Sequence, residues 1–347
     1  MPSVSRKHQF HPEKNRLVMV FLALLFVGLV FNCATTLFPA WKLPTEKEKI
    51  VTVRRGMNSH EIAELLYENQ IIQNKDKFIW AAKLMGVSRK LQAGSYAFQG
   101  RVSNFEVLTK ISEGSVITEQ ITFYEGISSI KIAEMIQDQV NIDQEDILFL
   151  VNSGKFARSL GIEADGLEGY LFPETYRFHS DASAAEIIER MVHEWQLRYC
   201  DSLRIRTREL GFTIHEIMTL ASIVEGEAIQ DDERPIIAAI YLNRLKLGRP
   251  LEACPTVQFL LPEGPRHLTK QDLEIDSPYN TYRHAGLPPG PVNNPGMKSI
   301  LAVLYPADVD YLYLVANGDG THTFSRNFSE HLQAKRRFDR IRRFYKP

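Results

Sequence analysis

Residues 213–229, TIHEIMTLASIVEGEAI, form the most sharply bounded helix that the sequence predicts. Thr213 followed three residues later by Glu216 is a capping box, in which side chain and backbone satisfy each other's free groups and fix the helix start. At about 100° per residue, with Glu225 at zero, Ile214, Met218, Ala221 and Ile229 fall within about 40° of it. Ala228, Ile217 and Ser222 flank them within about 80°. Glu225 therefore stands in the middle of an apolar stripe, and Glu227 lies about 160° away, near Ile223. A carboxyl on a low-dielectric surface loses hydration of its charged form, so its pKa rises and it can donate a proton to a leaving oxygen. The small Ala221 and Ser222, one turn away, leave room for a substrate. The same geometry also fits a structural carboxylate paired with Arg234, Arg244 or Arg283, and the helix alone leaves both readings open.

Working outward, the chain reads as an α+β protein. Upstream of the helix, residues 50–53 read as a strand, 59–66 as a capped amphipathic helix, 78–85 as a second helix, 93–98 as turn and strand, and 104–112 as a third helix. Small strand–helix–helix–strand units of this size include LysM-like sugar-binding modules. Residues 116–123 read as a strand leading into Glu125-Gly126, and a helix over 130–136 follows. Its approach, Gly126 then Ser129, repeats that of Gly56 then Ser59 before the first helix. Residues 148–160 and 184–210 are largely helical, with a Gly-, Pro- and aromatic-rich loop at 166–176 between them. Downstream come a helix over 235–246, a proline-dense segment at 262–296, a hairpin over 311–325 and a basic helix over 335–346. Proline at that density excludes a helix interior or a central strand, and the interleaved Tyr279, Asn280, Tyr282 and Arg283 point to a rigid functional loop.

Residues 17–38 are apolar almost without interruption and span about 33 Å as a helix, enough to cross a bilayer core of about 30 Å. Arg6, Lys7, Lys14 and Arg16 precede the span, which favours a cytoplasmic N-terminus and an exported remainder. No small-residue cleavage site follows it, and Cys33 lacks the small neighbours of a lipoprotein site, so an uncleaved single-pass anchor is expected. The expected organisation is a cytoplasmic tail (1–16), transmembrane anchor (17–38), linker (39–47), LysM-like αβ module (48–118) and a larger mixed α/β catalytic domain (119–347).

Across all 347 residues, 44% are hydrophobic and 24% charged, the balance of an ordinary globular protein. Lys and Arg number 41 against 42 Asp and Glu, which argues against nucleic acid as a partner. Three cysteines, Cys33, Cys200 and Cys254, exclude a disulfide-built scaffold and a four-cysteine zinc site, although Cys200 and Cys254 could pair. No HExxH pair, GxSxG elbow or phosphate-cradling glycine loop is present, so no metal site is expected.

Several long motifs occur in order: LEGYLFPETY (167–176), ASIVEGEA (221–228), YLNRL (241–245), SPYNTYRHAGLPPGPVNNPG (277–296), YLYLVA (311–316) and GTHTFS (320–325). Together they resemble the MltG/YceG-like family of endolytic murein transglycosylases over residues 48–335. The resemblance implies a membrane-anchored lyase with a LysM-like subdomain. It would cut the MurNAc-β-1,4-GlcNAc bond of nascent peptidoglycan strands and leave 1,6-anhydro-muramyl ends. The family's catalytic glutamate maps onto Glu225. One carboxylate then suffices, because the sugar's own C6 hydroxyl is the nucleophile, held in place by proximity, and neither metal nor organic cofactor is required.

Among the supporting residues, Glu168 and Tyr170 are candidates to orient the sugar or stabilise oxocarbenium-like charge. Asn280, Tyr282 and Arg283 are candidates for contacts with N-acetyl, ring and peptide groups. Ser222 is a candidate beside the substrate, His322 a candidate lining the cleft, and Asn243 a structural hydrogen-bonder. The chain departs from the family where a basic residue usually follows the catalytic glutamate, here Gly226, and where Cys254 replaces an aspartate before Pro-Thr-Val. A wall-binding scaffold that recruits a peptidoglycan synthase, and a hydrolytic muramidase with Glu168 as second carboxylate, are the competing expectations.

Overall fold

The structure, a computed structural model, describes residues 12–44, 48–114, 118–140, 142–179, 182–261, 264 and 266–344. Most of the expected cytoplasmic tail, the end of the linker and the start of the strand expected at 116 lie outside them. The chain divides into two compact units, one holding residues 1–118 and 179–181, the other residues 119–178 and 182–347. The fold is mixed α/β, with short two-stranded antiparallel ladders among many helices.

In the first unit, the helix Pro12–Leu37 carries a stretch, Met19–Leu37, long and apolar enough to cross a membrane. Phe21, Leu24, Phe26 and Phe31 all stand out from it, each more than 60% exposed, and such all-round apolarity suits lipid rather than water. Its C-terminal end joins the folded part, where Asn104 Nδ2 donates to the Thr36 carbonyl at 2.9 Å. Strand Lys49–Val53 pairs with Gly94–Phe98, and helices Ser59–Glu68, Lys75–Leu84 and Asn104–Glu113 close a core of Val51, Ile62, Leu66, Phe78, Tyr96 and Leu108. Asn58, not Ser59, caps the first of these helices, in a capping box with Glu61. The expected linker contains a further short strand, Trp41–Lys42, paired with Arg101–Val102.

In the second unit, helix Ile214–Glu227 is the axis, packed by Arg234–Lys246 and Met297–Leu304. From Ile217 to Val224 every side chain on it is buried, so the helix is enclosed rather than half-exposed. It ends at Glu227, and Ala228 is extended. Ile229, expected in the apolar stripe, therefore leaves the helix and is 70% exposed. Elements not expected include strand Thr175–His179, at the aromatic loop's end, helix Cys254–Gln258, and helix Met297–Leu304, immediately after the proline-dense segment. The hairpin Tyr313–Ala316 with His322–Ser325 and the helix Phe328–Phe344 complete the unit.

Candidate active site

Thr213 caps the axial helix as its sequence dictates, its hydroxyl accepting from Glu216 N–H while the Glu216 carboxylate takes the Thr213 N–H. This sets the rotation that carries Glu225, three turns on, to the helix's C-terminal end. There the Glu225 side chain is only 5% exposed. It is not the isolated carboxyl in an apolar wall that periodicity suggests. Oε1 accepts from Arg234 Nη1 at 3.0 Å, and Oε2 accepts from the Gly296 backbone N–H at 3.0 Å. Arg234 is itself buried and held by Asp231 Oδ1 at 3.1 Å and Ser299 Oγ. Of the three arginines left open by the sequence, tertiary packing selects Arg234.

The segment 289–296 runs alongside this helix and fixes the site's wall. His215 Nε2 lies 2.9 Å from the Pro289 carbonyl, Val292 N–H donates to Ser222 Oγ at 3.0 Å, and Asn293 Nδ2 donates to the Ser222 carbonyl at 2.9 Å. Asn294, fully buried, is the hub that sequence reasoning missed. Its Oδ1 accepts from Gly169 and Leu171 N–H, and its Nδ2 donates to the Ile127 carbonyl and to Glu168 Oε1. One amide thus ties together three loops distant in sequence. Its signal was an asparagine in a proline-rich loop, which turn chemistry explains equally well. Asn294→Ala leaves the buried Gly169 and Leu171 N–H groups without partners and takes a donor from Glu168, so a loss of about 3–5 kcal/mol is expected in urea unfolding.

The third wall of the site comes from residues 123–127. Phe123 N–H donates to the Glu174 carbonyl, Gly126 N–H to the Asn294 carbonyl, and Asn294 N–H to the Ile127 carbonyl. Gly126 turns at φ +78°, and a Cβ there would stand 3.3 Å from Glu225 Cγ. A Cβ on Gly296 would stand 1.9 Å from Glu125 Oε1. Glu125 and Glu225 thus both lie against Gly296.

Other sequence candidates fall elsewhere. Ser222 is wholly buried, donates to the Thr219 carbonyl and accepts from Val292, so it latches the loop. Asn280 is also wholly buried, and its amide holds the Leu273 and Ile275 carbonyls and the Tyr282 N–H. Arg283 is exposed and donates to the Glu274 carbonyl. Tyr282 meets Cys254, hydroxyl to Sγ, at 3.3 Å. His322 Nδ1 lies 2.7 Å from Glu233 Oε2, and its N–H donates to Glu233 Oε1. Tyr170 is buried, its hydroxyl 3.0 Å from His215 Nδ1. Glu168 accepts from Ser129 N–H at 3.1 Å and lines a cavity of about 540 Å³ together with His215, Phe259, Tyr279 and Gly290. Asn243 is structural as expected, donating to the Val309 and Tyr311 carbonyls.

Glu227 follows Glu225 by two residues and closes the helix. It is enclosed near Tyr241, Arg244 and His322, and burial pushes its carboxyl up to about 7. Burial likewise pushes Glu168 up to about 7 against the Ser129 hydrogen bonds. Both folded values lie above the ordinary 4.5, so the stability these groups contribute is full below pH 4.5 and is lost as pH rises through about 7. Glu168→Gln is expected to flatten this dependence and to raise stability in mildly alkaline buffer by about 2 kcal/mol, read by thermal melting across pH.

The two departures from the family pattern meet in space. A side chain on Gly226 would bring its Cβ within 2.7 Å of Pro255 Cβ, beside Cys254. Burial raises the Cys254 thiol, which favours packing over reactivity. All three cysteines are free. Among the described residues no group of His, Cys, Asp and Glu is arranged to hold a metal ion.

Comparison with known proteins converges on one family. The profile of the YceG-like family matches residues 51–337. An endolytic murein transglycosylase of Bacillus subtilis is 32% identical over 315 residues, covering 85% of this chain and 87% of its own. One of Streptococcus pneumoniae is 27% identical, covering 91% of this chain, which spans 65% of that relative's length. The crystal structure of a YceG-like protein from Listeria monocytogenes superposes with a TM-score of 0.58 at 31% identity, over 83% of this chain and 99% of that one. Matched over most of its length by profile, sequence and fold, the chain belongs to the YceG-like family.

Proposed function

We propose that this chain is an endolytic murein transglycosylase that cuts the MurNAc-β-1,4-GlcNAc bond within nascent peptidoglycan strands and leaves 1,6-anhydro-muramyl ends. The observation that carries the reading is Glu225 itself: a desolvated carboxyl at a helix end, fixed by Arg234 and the Gly296 N–H, walled by three loops that Asn294 ties together. Such fixing supplies the preorganisation that acid–base catalysis needs. Glu225 protonates the departing O4 as the C1–O4 bond breaks. The resulting carboxylate takes the proton from the C6 hydroxyl as O6 bonds to C1. The acid is regenerated, and no water enters the product.

The helix Pro12–Leu37 anchors the enzyme, with the N-terminus in the cytoplasm and residues 119–347 as an extracytoplasmic catalytic domain. Residues 48–118 form a LysM-like module that holds glycan near the membrane, where a peptidoglycan synthase delivers new strands. Tyr282, Arg283 and His322 remain candidates for the margins of the glycan cleft. Glu168 accepts from Ser129 and Asn294, which supports a role in holding the loops together.

The test is digestion of un-crosslinked glycan strands with mass analysis of the ends. Internal cuts bearing anhydro ends are expected. Reducing ends would transfer the chain to the hydrolases, and intact strands would leave a binding scaffold.

A further inference from the structure

Glu125 is a carboxylate beside Glu225 that the reaction described above leaves unused. It stands in the turn with Gly126, is exposed, and reaches Gly296, whose N–H holds Glu225. Four charged groups face it and its neighbour from four elements. Glu225 comes from the axial helix, Asp231 from the turn Asp231–Glu233, Arg234 from the helix it opens, and Lys298 from helix Met297–Leu304. Asp231 is committed as an anion, bonded by Lys298 Nζ at 2.5 Å and by Arg234 Nε at 3.1 Å. Three carboxylates therefore meet two cations, one negative charge too many for a partly desolvated cluster. A proton on one carboxylate makes the cluster neutral, and like charges brought against the same glycine do not both ionise readily.

Resting on the transglycosylase reading, we propose that Glu125 and Glu225 are a pair sharing one proton, with Glu125 the positioning residue that keeps a proton available to Glu225. This resolves the difficulty that a cation beside Glu225 favours its ionised form. Arg234 is satisfied by one negative charge on the pair, and the other carboxyl keeps its proton. Burial and the neighbouring Glu225 raise Glu125 above the ordinary carboxyl range, while Lys298 and Arg234 hold Asp231 below it.

The test is the pH dependence of strand cleavage by the full-length protein. Activity needs the shared proton and is lost as pH rises through the pair's upper apparent value. In Glu125→Gln the remaining carboxylate faces Arg234 with no competing anion. The alkaline limb of kcat/KM is then expected to move down by about one pH unit, cutting the rate in neutral buffer about tenfold and in acidic buffer much less. Gly296→Ala keeps the N–H but drives its Cβ into Glu125, and it should shift the limb the same way. Glu125→Asp should restore much of the original profile. An unmoved profile in Glu125→Gln, or a loss of equal size at every pH, would overturn the pairing. The underlying reading has its own control: active Glu225→Gln would refute the acid itself, whereas inactive Glu225→Gln with an unmoved Glu125→Gln profile refutes only the pair.

Discussion

Glu225→Gln is expected to lower strand cleavage by about 10³-fold or more while leaving the protein folded and able to bind glycan. The amide is nearly the size of the carboxyl and keeps one oxygen that Arg234 can address, but it carries no transferable proton. Its nitrogen must face either Arg234 or the Gly296 N–H, both donors, so a modest stability loss of about 1 kcal/mol accompanies the chemical one. Product analysis after long incubation separates the two effects, since a merely weakened fold still accumulates product at low temperature. Glu227→Gln is not an inert control, because Glu227 is enclosed near Tyr241, Arg244 and His322.

The second large effect is on stability. Arg234→Met removes the cation from a carboxylate whose side chain is 5% exposed and frees Ser299 and Asp231 at once. Breaking a buried ion pair from one side strands the other charge, at a cost of about 3–5 kcal/mol. Removing the charge on both sides removes much of that penalty. The double variant Arg234→Met/Glu225→Gln is therefore expected to be more stable than Arg234→Met alone, by about 2 kcal/mol in denaturant unfolding. Additive losses would mean that the two side chains do not act as a pair.

The capping box at Thr213 and the position of Glu225 were legible because both are local. A cap is read from residues three apart, and a stripe from one turn to the next. Strand Lys49–Val53 and helices Ser59–Glu68 and Asn104–Glu113 were legible for the same reason. What surrounds Glu225 was not. The choice of Arg234 over Arg244 or Arg283 is made by how helices Arg234–Lys246 and Met297–Leu304 pack, which no local pattern encodes. The axial helix is buried on every side from Ile217 to Val224, and there periodicity loses its power to distinguish faces.

Polar residues in the proline-dense segment misled in one consistent way. Asn280, expected to meet ligand, is spent on neighbouring carbonyls, as buried polar groups in an irregular loop must be. Asn294, from the same segment, does the structural work that holds three loops together. Glu125 carried no signal beyond its place before a glycine. Its importance comes from Gly296, far along the chain, whose missing side chain lets both carboxylates approach.

The central claim is that Glu225 drives an intramolecular attack rather than admitting water. Cleavage of un-crosslinked glycan strands in oxygen-labelled water tests this directly, with mass analysis of every new end. Anhydro-muramyl ends carrying no label, absent with Glu225→Gln, are predicted. Labelled reducing ends, or unlabelled anhydro ends that persist in Glu225→Gln, would contradict it.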